Sequence, residues 1–315
     1  MSENISIVIA NWNAGKQLAE AVLSIAKHHH GIISSVIIVD NASSDGSLAQ
    51  LEVLEGFPFK LQIVRNPDNR GFGAACNQGA ALSTSKYLLF LNPDTRLFEN
   101  SLSIPFDFME KDENYNVGIV GIQLLDEQNH VARSCARFPT VTIFAAQALG
   151  INRLPKYKHL SQAMSEWRHD SNQIVDQVIG AFFVIRRSIF ESLGGFDERF
   201  FVYFEEVDLS LRVYQAGYSS VFLANAQAFH AGNGTTKQIK AHRLFYSLRS
   251  RLLYGFKHFS KWQAWWLIII TLSFEPLTRS VFSLKNDGID GVRNTLCAYG
   301  MLWGWLLKKL RKKEV

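Results

Sequence analysis

The chain has 315 residues and a net charge of +5, and 47% of its residues are apolar while 19% are charged. This composition is typical of a globular protein with a sizeable core, and the length allows one large or two modest domains. Three widely spaced cysteines and an N-terminus without a basic region argue against a disulfide framework, a zinc knuckle and a cleaved secretory signal, and they suit a reducing cytoplasm.

Four apolar runs in the first hundred residues each end close to a small polar side chain. The runs cover residues 5–10, 36–39, 61–64 and 87–91, and the polar side chains after them include Asn11, Asp40, Asn66 and Asp94. Runs that are apolar on both faces and rich in Ile and Val are typical of buried parallel strands. Because ligands of open α/β sheets bind outside the carboxyl ends of the strands, this pattern predicts a polar binding site at that edge.

Helical spacing of apolar residues between these runs predicts βαβ units and a mostly parallel sheet. The predicted helices cover residues 15–27, 48–54 and 74–82. Residues 140–175 look irregular and polar and are predicted to form a mobile flap. Strands are predicted again at 174–185 and 220–224. From about residue 240 the composition becomes basic and aromatic, so we expect a catalytic domain over residues 1–240 and a helical extension over residues 241–315.

The C-terminal extension contains two short apolar segments, residues 262–274 and 295–307, and five basic residues among its last eight. A helix over either segment is about 20 Å long, shorter than the roughly 30 Å hydrocarbon core of a bilayer. Aromatic, apolar segments with a cationic flank favour a helix at an anionic membrane surface, and no nucleic-acid partner is expected. Core helices of a small subdomain, or a true membrane span, are the alternatives.

Glycines follow the third predicted strand at Gly71, Gly73 and Gly79. Cys76 occupies the place of the last glycine of G-x-G-x-x-G, and the strand is not the first, so NAD binding is not expected. Glycines before a helix still allow close backbone approach and direct amide groups toward an anion. A tight strand-to-helix turn explains them equally well.

The densest group of acidic residues is Glu205, Glu206 and Asp208, which directly follow four aromatic residues. Crowded acids and apolar walls raise the pKa of a carboxyl group, which is how a general base is tuned. Arg212, four residues after Asp208, predicts an ion pair that orients a helix. An exposed helix N-terminus is the alternative interpretation. Asp94 is either a ligand of a hard divalent cation or a turn cap, and a lone His230 is usually structural.

Five motifs, taken together and in order, resemble inverting glycosyltransferase family 2, and its bacterial rhamnosyltransferase branch most closely. The resemblance covers residues 5–235, and its motifs lie at 7–13, 38–46, 69–77, 91–94 and 194–209. It implies an α/β GT-A fold, in which a mostly parallel central sheet is flanked by helices. One half would be a Rossmann-like nucleotide-binding half and the other would receive the acceptor.

The resemblance also implies roles for residues of the nucleotide-binding half. Asn11 and Asp40 would flank the nucleobase and ribose. The Arg70–Gly71 turn and Asn77 would help to hold the nucleotide sugar.

The same resemblance implies metal-binding and catalytic roles for three further residues. Asp94 corresponds to the last acid of the family's D-x-D motif, and His230 resembles a later histidine that completes the shell of Mg or Mn. Glu206 occupies the place of the catalytic base. Two departures are present: Asn92 replaces the first acid of D-x-D, and the usual Glu-Asp pair is here Glu205-Glu206, which is one methylene longer at the base.

These features predict inverting transfer of L-rhamnose from dTDP-L-rhamnose to a saccharide acceptor, in the synthesis of an O-antigen-like cell-surface polysaccharide. The acceptor is expected to be lipid-linked, and the enzyme to be cytoplasmic and peripheral at the inner face of the cell membrane. Two alternatives stay open: a glycosyltransferase that uses a UDP-sugar, and a non-catalytic scaffold that binds nucleotide sugars on the same fold.

Overall fold

A computed structural model describes residues 4–29, 31–54, 56–232 and 240–311. The chain divides into two compact units. The first comprises the described residues of Met1–Phe138, Trp167–Phe201 and Glu205–Thr235, and the second those of Pro139–Glu166, Val202–Phe204 and Thr236–Val315. The boundary predicted at residue 240 stays a prediction.

The first unit is built on one mixed sheet. The strands of the chain are β1 (Ile5–Asn11), β2 (Ile33–Asp40), β3 (Lys60–Arg65), β4 (Tyr87–Leu91), β5 (Thr95–Leu97), β6 (Val117–Leu125), β7 (Val131–Ala132), β8 (Cys135–Ala136), β9 (Gln173–Val175), β10 (Gln177–Val178), β11 (Phe182–Arg186) and β12 (Ser219–His230). Strands β8 and β10 form a separate pair, and the others belong to the mixed sheet. The strand order is β3-β2-β1-β4-β11-β6-β12-β5, with β7 added beside β6 and β9 beside β12.

The helices alternate with the strands in the first half of the chain and dominate its C-terminal end. They are α1 (Lys16–His28), α2 (Ala49–Glu52), α3 (Phe72–Ala80), α4 (Ser103–Glu110), α5 (Val141–Ala148), α6 (Arg187–Ser192), α7 (Glu205–Gln215), α8 (Lys240–His258), α9 (Lys261–Ser273) and α10 (Glu275–Arg311). Short 3-10 helices lie at Asp112–Asn114, Ile151–Arg153 and Pro155–Leu160.

The first four predicted strands are present and parallel. β1 pairs with β2 on one side and with β4 on the other, and β2 pairs with β3. The side chains of β1, β2 and β4 are almost entirely buried, because α1 and α3 cover the sheet. The α/β class predicted from these runs is confirmed, and the carboxyl ends of the four neighbouring strands share one edge. The prediction that the third run is a buried strand is wrong, because β3 lies at the end of the strand order and its side chains are half-buried or exposed.

The second half of the sheet is less regular than the sequence predicts. The strand predicted over 174–185 is divided into β9, β10 and β11, and β11 is antiparallel to both β4 and β6. The strand predicted over 220–224 continues to His230. An apolar run shows that a strand is buried but does not show its direction, so this half of the topology was not predictable from periodicity.

The prediction of a mobile, irregular flap over residues 140–175 is wrong at its start. Residues Val141–Ala148 form helix α5, whose first turn is capped because the Thr140 hydroxyl accepts a hydrogen bond from the Ile143 backbone N–H at 3.2 Å. Phe144 is buried and contacts the rings of Phe204 and Phe259 within the second unit. A short apolar stretch inside a polar segment is sufficient for a helix once it has a core to pack against.

The second unit holds α8, α9 and α10, and α10 has a kink at Gly288, where φ is 66°. Among the described residues, no single helix is long and apolar enough to cross a membrane, although α9 and Glu275–Lys309 together meet that test with a bend of 42° between them. Lys312 and Lys313 of the predicted basic tail lie outside the described residues.

Candidate active site

A buried polar pair marks the carboxyl ends of β1 and β2. Asn11 and Asp40 are register partners, and the Asn11 side-chain N–H donates to the Asp40 carboxylate at 2.7 Å. The same amide group donates to the hydroxyls of Ser43 and Ser47, and the Ser43 backbone N–H donates to Asp40. Four polar groups therefore hold one another in place below the sheet edge.

One acceptor of this pair is unused. Because an ionised carboxylate only accepts hydrogen bonds, the amide nitrogen of Asn11 must face Asp40, and this leaves its Oδ1 pointing elsewhere. Within the part of the chain that the structure describes, Asn11 Oδ1 is buried and receives no hydrogen bond. A buried acceptor without a donor is costly, and it fits a site where a ligand N–H completes the network.

The start of α3 reaches the same edge. The Asn41 side chain donates to the Gly71 carbonyl at 3.1 Å, and Asn66 donates to Asn41 at 2.9 Å. Gly71 has a φ of 89°, and a β-carbon on it would overlap the carbonyl oxygen of Phe201. Arg70 is exposed one residue earlier. The glycine is therefore required by a close approach of two backbone segments of this chain.

Asn77 contacts the protein itself. Its side-chain N–H donates to the Phe196 carbonyl at 2.9 Å, and its oxygen accepts from the Phe196 backbone N–H at 2.9 Å. A further hydrogen bond reaches Glu198. The amide thus braces the loop that precedes α7, and its contact with a nucleotide sugar stays a prediction.

Asp94 and His230 lie together although more than a hundred residues separate them in the chain. His230 ends β12 and is the register partner of Thr95, the first residue of β5, so Asp94 lies beside it. Asp94 Oδ1 is 3.3 Å from His230 Nε2, and both side chains are mostly buried, with 13% and 15% exposed. The Ala231 backbone N–H donates to the Asp94 carbonyl at 3.2 Å.

This pair provides one carboxylate oxygen and one imidazole nitrogen to a cation. No group of three or more potential ligands exists among the described residues, so the protein alone does not close a coordination shell. Mg²⁺ commonly takes one or two carboxylates and completes its shell with water and substrate phosphates, and carboxylate and water ligands also suit Mn²⁺. The donor set therefore fits a divalent cation that is bound together with a diphosphate.

The acidic N-terminus of α7 is mostly buried, which the interpretation as an exposed helix end did not anticipate. Asp208 is fully buried and forms the predicted ion pair with Arg212, at 2.8 Å. Arg212 also donates to the carbonyls of Leu193 and Gly195, both at 2.8 Å. The prediction that this pair orients the helix is confirmed, because Arg212 links α7 to the preceding loop.

Glu206 is half-buried, and its Oε2 is inaccessible and accepts no hydrogen bond from any described residue. Burial raises the pKa of the Glu206 carboxyl, while the backbone N–H groups of Glu206 and Val207 oppose that shift. Tyr203 and Phe204, which precede the helix, have φ values of 69° and 72°. Backbone in the left-handed region is strained for such bulky residues, and strain of this kind concentrates at functional sites.

The structure thus places Asn11 with Asp40, and Asp94 with His230, at the carboxyl ends of strands. The Ala181 carbonyl, just before β11, accepts from Asn92 N–H at 3.1 Å and from the Thr95 hydroxyl at 3.3 Å, so it fixes the turn that carries Asp94. Ser43 and Ser47 are not among the site residues that the sequence analysis predicts, although both donate or accept hydrogen bonds in the Asn11–Asp40 network. Their spacing after Asp40 was the only available signal.

Comparison with known proteins identifies the family to which the chain belongs. Residues 6–194 match the family model described as glycosyl transferase family 2, so the chain belongs to that family and is a glycosyltransferase. It is 23% identical over 276 residues to N-acetylglucosaminyl-diphospho-decaprenol L-rhamnosyltransferase of Mycobacterium tuberculosis, covering 84% of this chain and 88% of that protein. It is 30% identical to rhamnosyltransferase WbbL of Escherichia coli K12, covering 51% and 60% of the two chains.

Solved structures confirm the GT-A fold. The mannosyltransferase of Pyrobaculum calidifontis, in complex with GDP-Man and Mn²⁺, superposes with a TM-score of 0.56 at 13% identity, covering 95% of this chain and 74% of the other. At this identity the likeness concerns the fold alone.

Proposed function

We propose that the protein transfers L-rhamnose, with inversion, from dTDP-L-rhamnose to a lipid-linked saccharide during polysaccharide synthesis. The observation that carries the proposal is the juxtaposition of Asp94 and His230 at 3.3 Å, beside the strand ends where a donor diphosphate would bind. The relatives named as rhamnosyltransferases support the choice of sugar.

Donor binding begins with the nucleoside. Asp40 and Asn11 are held rigid by their mutual hydrogen bond, and the free Oδ1 of Asn11 suits an N–H group of a nucleobase such as the imide of thymine. Asp40, whose carboxylate has two oxygens, would accept a hydrogen bond from the hydroxyl group of the deoxyribose. A preformed polar pocket of this kind lowers the entropy lost on binding.

Asp94 and His230 would hold a divalent cation, which, when bound, neutralises charge on the departing diphosphate. The protein's own part is to present the Asp94 carboxylate from the turn before β5 and the His230 imidazole from the end of β12, which packing has already brought together. Both side chains keep partial exposure, so phosphate oxygens can approach them.

Glu206 is the proposed general base. Its carboxylate removes the proton from an acceptor hydroxyl, the hydroxyl oxygen forms a bond to the anomeric carbon, and the bond from that carbon to the diphosphate oxygen breaks on the opposite face. Burial raises the pKa of Glu206, and a raised pKa makes its carboxylate a stronger base than that of an exposed glutamate. The product has the inverted configuration.

The place of action proposed is the cytoplasmic face of the cell membrane, where lipid-linked acceptors are extended. The basic and aromatic C-terminal helices support this location.

A panel of nucleotide sugars tests the proposal directly. Specific ligands stabilise the folded form, so dTDP-L-rhamnose should raise the melting temperature more than UDP-, GDP- or ADP-sugars in the presence of Mn²⁺. Transfer to a lipid-linked saccharide should then be measured with the donor that stabilises the protein most. A preference for a UDP-sugar would refute the donor assignment, and binding without transfer or donor hydrolysis would favour the non-catalytic scaffold.

A further inference from the structure

Helix α9 is apolar on two opposite faces, and only one of them is covered. Ala264, Leu267 and Thr271, spaced by three and four residues, are buried within the second unit. The other face carries Trp262, Trp265, Trp266 and Ile269, at spacings of three, four and seven residues, and all four side chains are exposed. A helix that is apolar on all sides belongs in a core or in a lipid environment.

The exposed side chains of α9 form a continuous surface with the end of α8. The rings of Trp262 and Trp266 are 5.6 Å apart, and the ring of Trp265 is 6.0 Å from that of Phe256. We refer to Phe256, Trp262, Trp265, Trp266 and Ile269 as the tryptophan face. Trp262 is 71% exposed, which is unusual for the largest apolar side chain. Exposed apolar surfaces of this kind mark interaction sites.

Helix α10 adds further exposed apolar side chains. They follow helical spacing on both sides of the kink at Gly288 and comprise Leu277, Val281, Leu284, Leu296, Trp303 and Leu307. More than half of the large apolar side chains that are exposed in the described chain lie between Phe256 and Leu307. The apolar surface is therefore concentrated in the second unit.

The distribution of charge indicates what covers this surface. Residues 240–315 contain 14 basic residues (Lys and Arg) and four acidic residues (Asp and Glu), which gives a net charge of +10. Residues 1–239 contain 19 basic and 24 acidic residues, which gives a net charge of −5. Lys261 begins α9, and Lys308 and Arg311 lie in the last turn of α10. A second copy of this chain would bring two such positive units together, which like-charge repulsion opposes. An anionic lipid surface complements both the charge and the aromatic side chains.

We infer that the tryptophan face, continued along α10, is a membrane-docking surface that lies in the headgroup region of an anionic bilayer. The tryptophan rings are inserted at the boundary of the acyl chains, and the flanking lysines and arginines contact lipid phosphates. A bent span over α9 and Glu275–Lys309 also meets the requirements of length and composition, and the experiment below distinguishes it from docking in the interface. The purpose of docking, access to a lipid-linked acceptor, rests on the function proposed above.

Vesicle co-sedimentation of the full chain tests the inference. The probes are phosphatidylcholine vesicles with and without phosphatidylglycerol, and the test variant is W262S/W265S/W266S. The wild type should bind the anionic vesicles, more weakly as salt is raised, and the variant should bind at least about tenfold more weakly, because interfacial affinity scales with buried apolar area. The matched control V53S/L82S/Y115S removes three exposed apolar side chains of the first unit and should bind as the wild type does.

Several outcomes would overturn the inference. Wild-type protein that stays in the supernatant, or a tryptophan variant that binds like the wild type, excludes a docking role for this face. If the wild type is a dimer that does not bind vesicles, and the tryptophan variant is a monomer, the face binds a second copy of the chain instead of a membrane. Resistance to alkaline carbonate extraction indicates a span. Circular dichroism must show that both variants are folded, and a second variant, K261E/K308E, should also weaken binding to anionic vesicles.

Docking and catalysis are distinguishable in the same proteins. The tryptophan variant should transfer sugar to a water-soluble, short-chain acceptor at the wild-type rate and lose transfer to an acceptor embedded in vesicles. Vesicle binding without transfer to either acceptor would refute the proposed function and leave the docking surface in place.

Discussion

Glu206 combines a partly inaccessible carboxyl group with strained backbone just before it in the chain, at Tyr203 and Phe204. If it is the base, Glu206→Gln should lower kcat by about 10²- to 10⁴-fold, because the amide cannot accept the hydroxyl proton. Donor affinity should stay within about twofold of the wild type, since only an interaction of the transition state is removed. Initial transfer rates and calorimetric titration with dTDP-L-rhamnose measure the two quantities.

The pH profile adds a check on the same residue. A base acts in its ionised form, and the pKa of Glu206 is raised, so kcat/KM should fall on acidification at a higher pH than an ordinary glutamate would impose. Glu99→Gln, at an exposed position, is the control and should leave both rate and profile unchanged. Wild-type transfer by Glu206→Gln would remove the base assignment.

Asp94 is the only carboxylate of the modified D-x-D motif. Asp94→Asn should weaken Mn²⁺ binding in the presence of dTDP by at least about 10- to 100-fold. Losses of this size are typical when a residue that only orients a metal-binding side chain is replaced, and the loss of a metal-binding side chain itself should be no smaller. Electron paramagnetic resonance of free Mn²⁺ measures this without any turnover. Asp107→Asn, an exposed acid on α4, should bind Mn²⁺ as the wild type does, and an unaffected Asp94→Asn protein would contradict the metal role.

At the scale of elements, the turn into α3 depends on Gly71. Gly71→Ala places a β-carbon against the Phe201 carbonyl at a φ of 89°, so it should lower the free energy of unfolding by more than the roughly 1–3 kcal/mol of the φ strain alone. Gly46→Ala is the matched control, because Gly46 has a φ of 76° and open space around its β-position. Urea denaturation compares the two variants, and equal losses would show that the overlap has no cost.

Helix α7 shows which contacts of a helix can be predicted from sequence spacing and which cannot. The spacing of Asp208 and Arg212 predicted their ion pair correctly, since residues four apart always share a helix face. The partners of Arg212 in the Leu193–Gly195 loop were not predictable, because they depend on where that loop packs. The same reason explains why the hydrogen bonds between Asn77 and Phe196 were not predictable from the sequence.

At the scale of the whole molecule, each unit has its own core and its own buried polar groups. In the second unit Glu275 forms a buried ion pair with Arg251 and a second ion pair with Arg279, whose side chain is 40% exposed. Desolvation alone would raise the pKa of Glu275, but the charges of both arginines hold it below its usual value. The pair therefore stabilises the unit above the pKa of an unfolded glutamate, about 4.3, and that stability is lost as pH falls through this value toward the lower folded pKa.

Glu275→Gln should accordingly destabilise the protein by about 3–5 kcal/mol at pH 7, because it leaves the buried guanidinium group of Arg251 without a countercharge. The difference from the wild type should become smaller below about pH 4.3. Urea unfolding at pH 7 and pH 4 measures both effects. Glu20→Gln breaks only exposed ion pairs and should change stability by less than about 1 kcal/mol, and a similarly mild Glu275→Gln would refute a stabilising role for the buried group.

The sequence alone determined the positions of strands β1 to β4, the burial of β1, β2 and β4, the polar side chains at the strand ends and membership of the family, because apolar runs and motif spacing are properties of short segments. It also indicated that the C-terminal region is helical, aromatic and basic. Strand direction in the second half of the sheet, the helix within residues 140–175 and the contact between Asp94 and His230 were decided only by the tertiary structure. The periodicity of apolar residues indicates which side chains are buried. Which strands pair, and which distant side chains meet, depends on interactions between segments far apart in the sequence, and these form only when the whole chain packs.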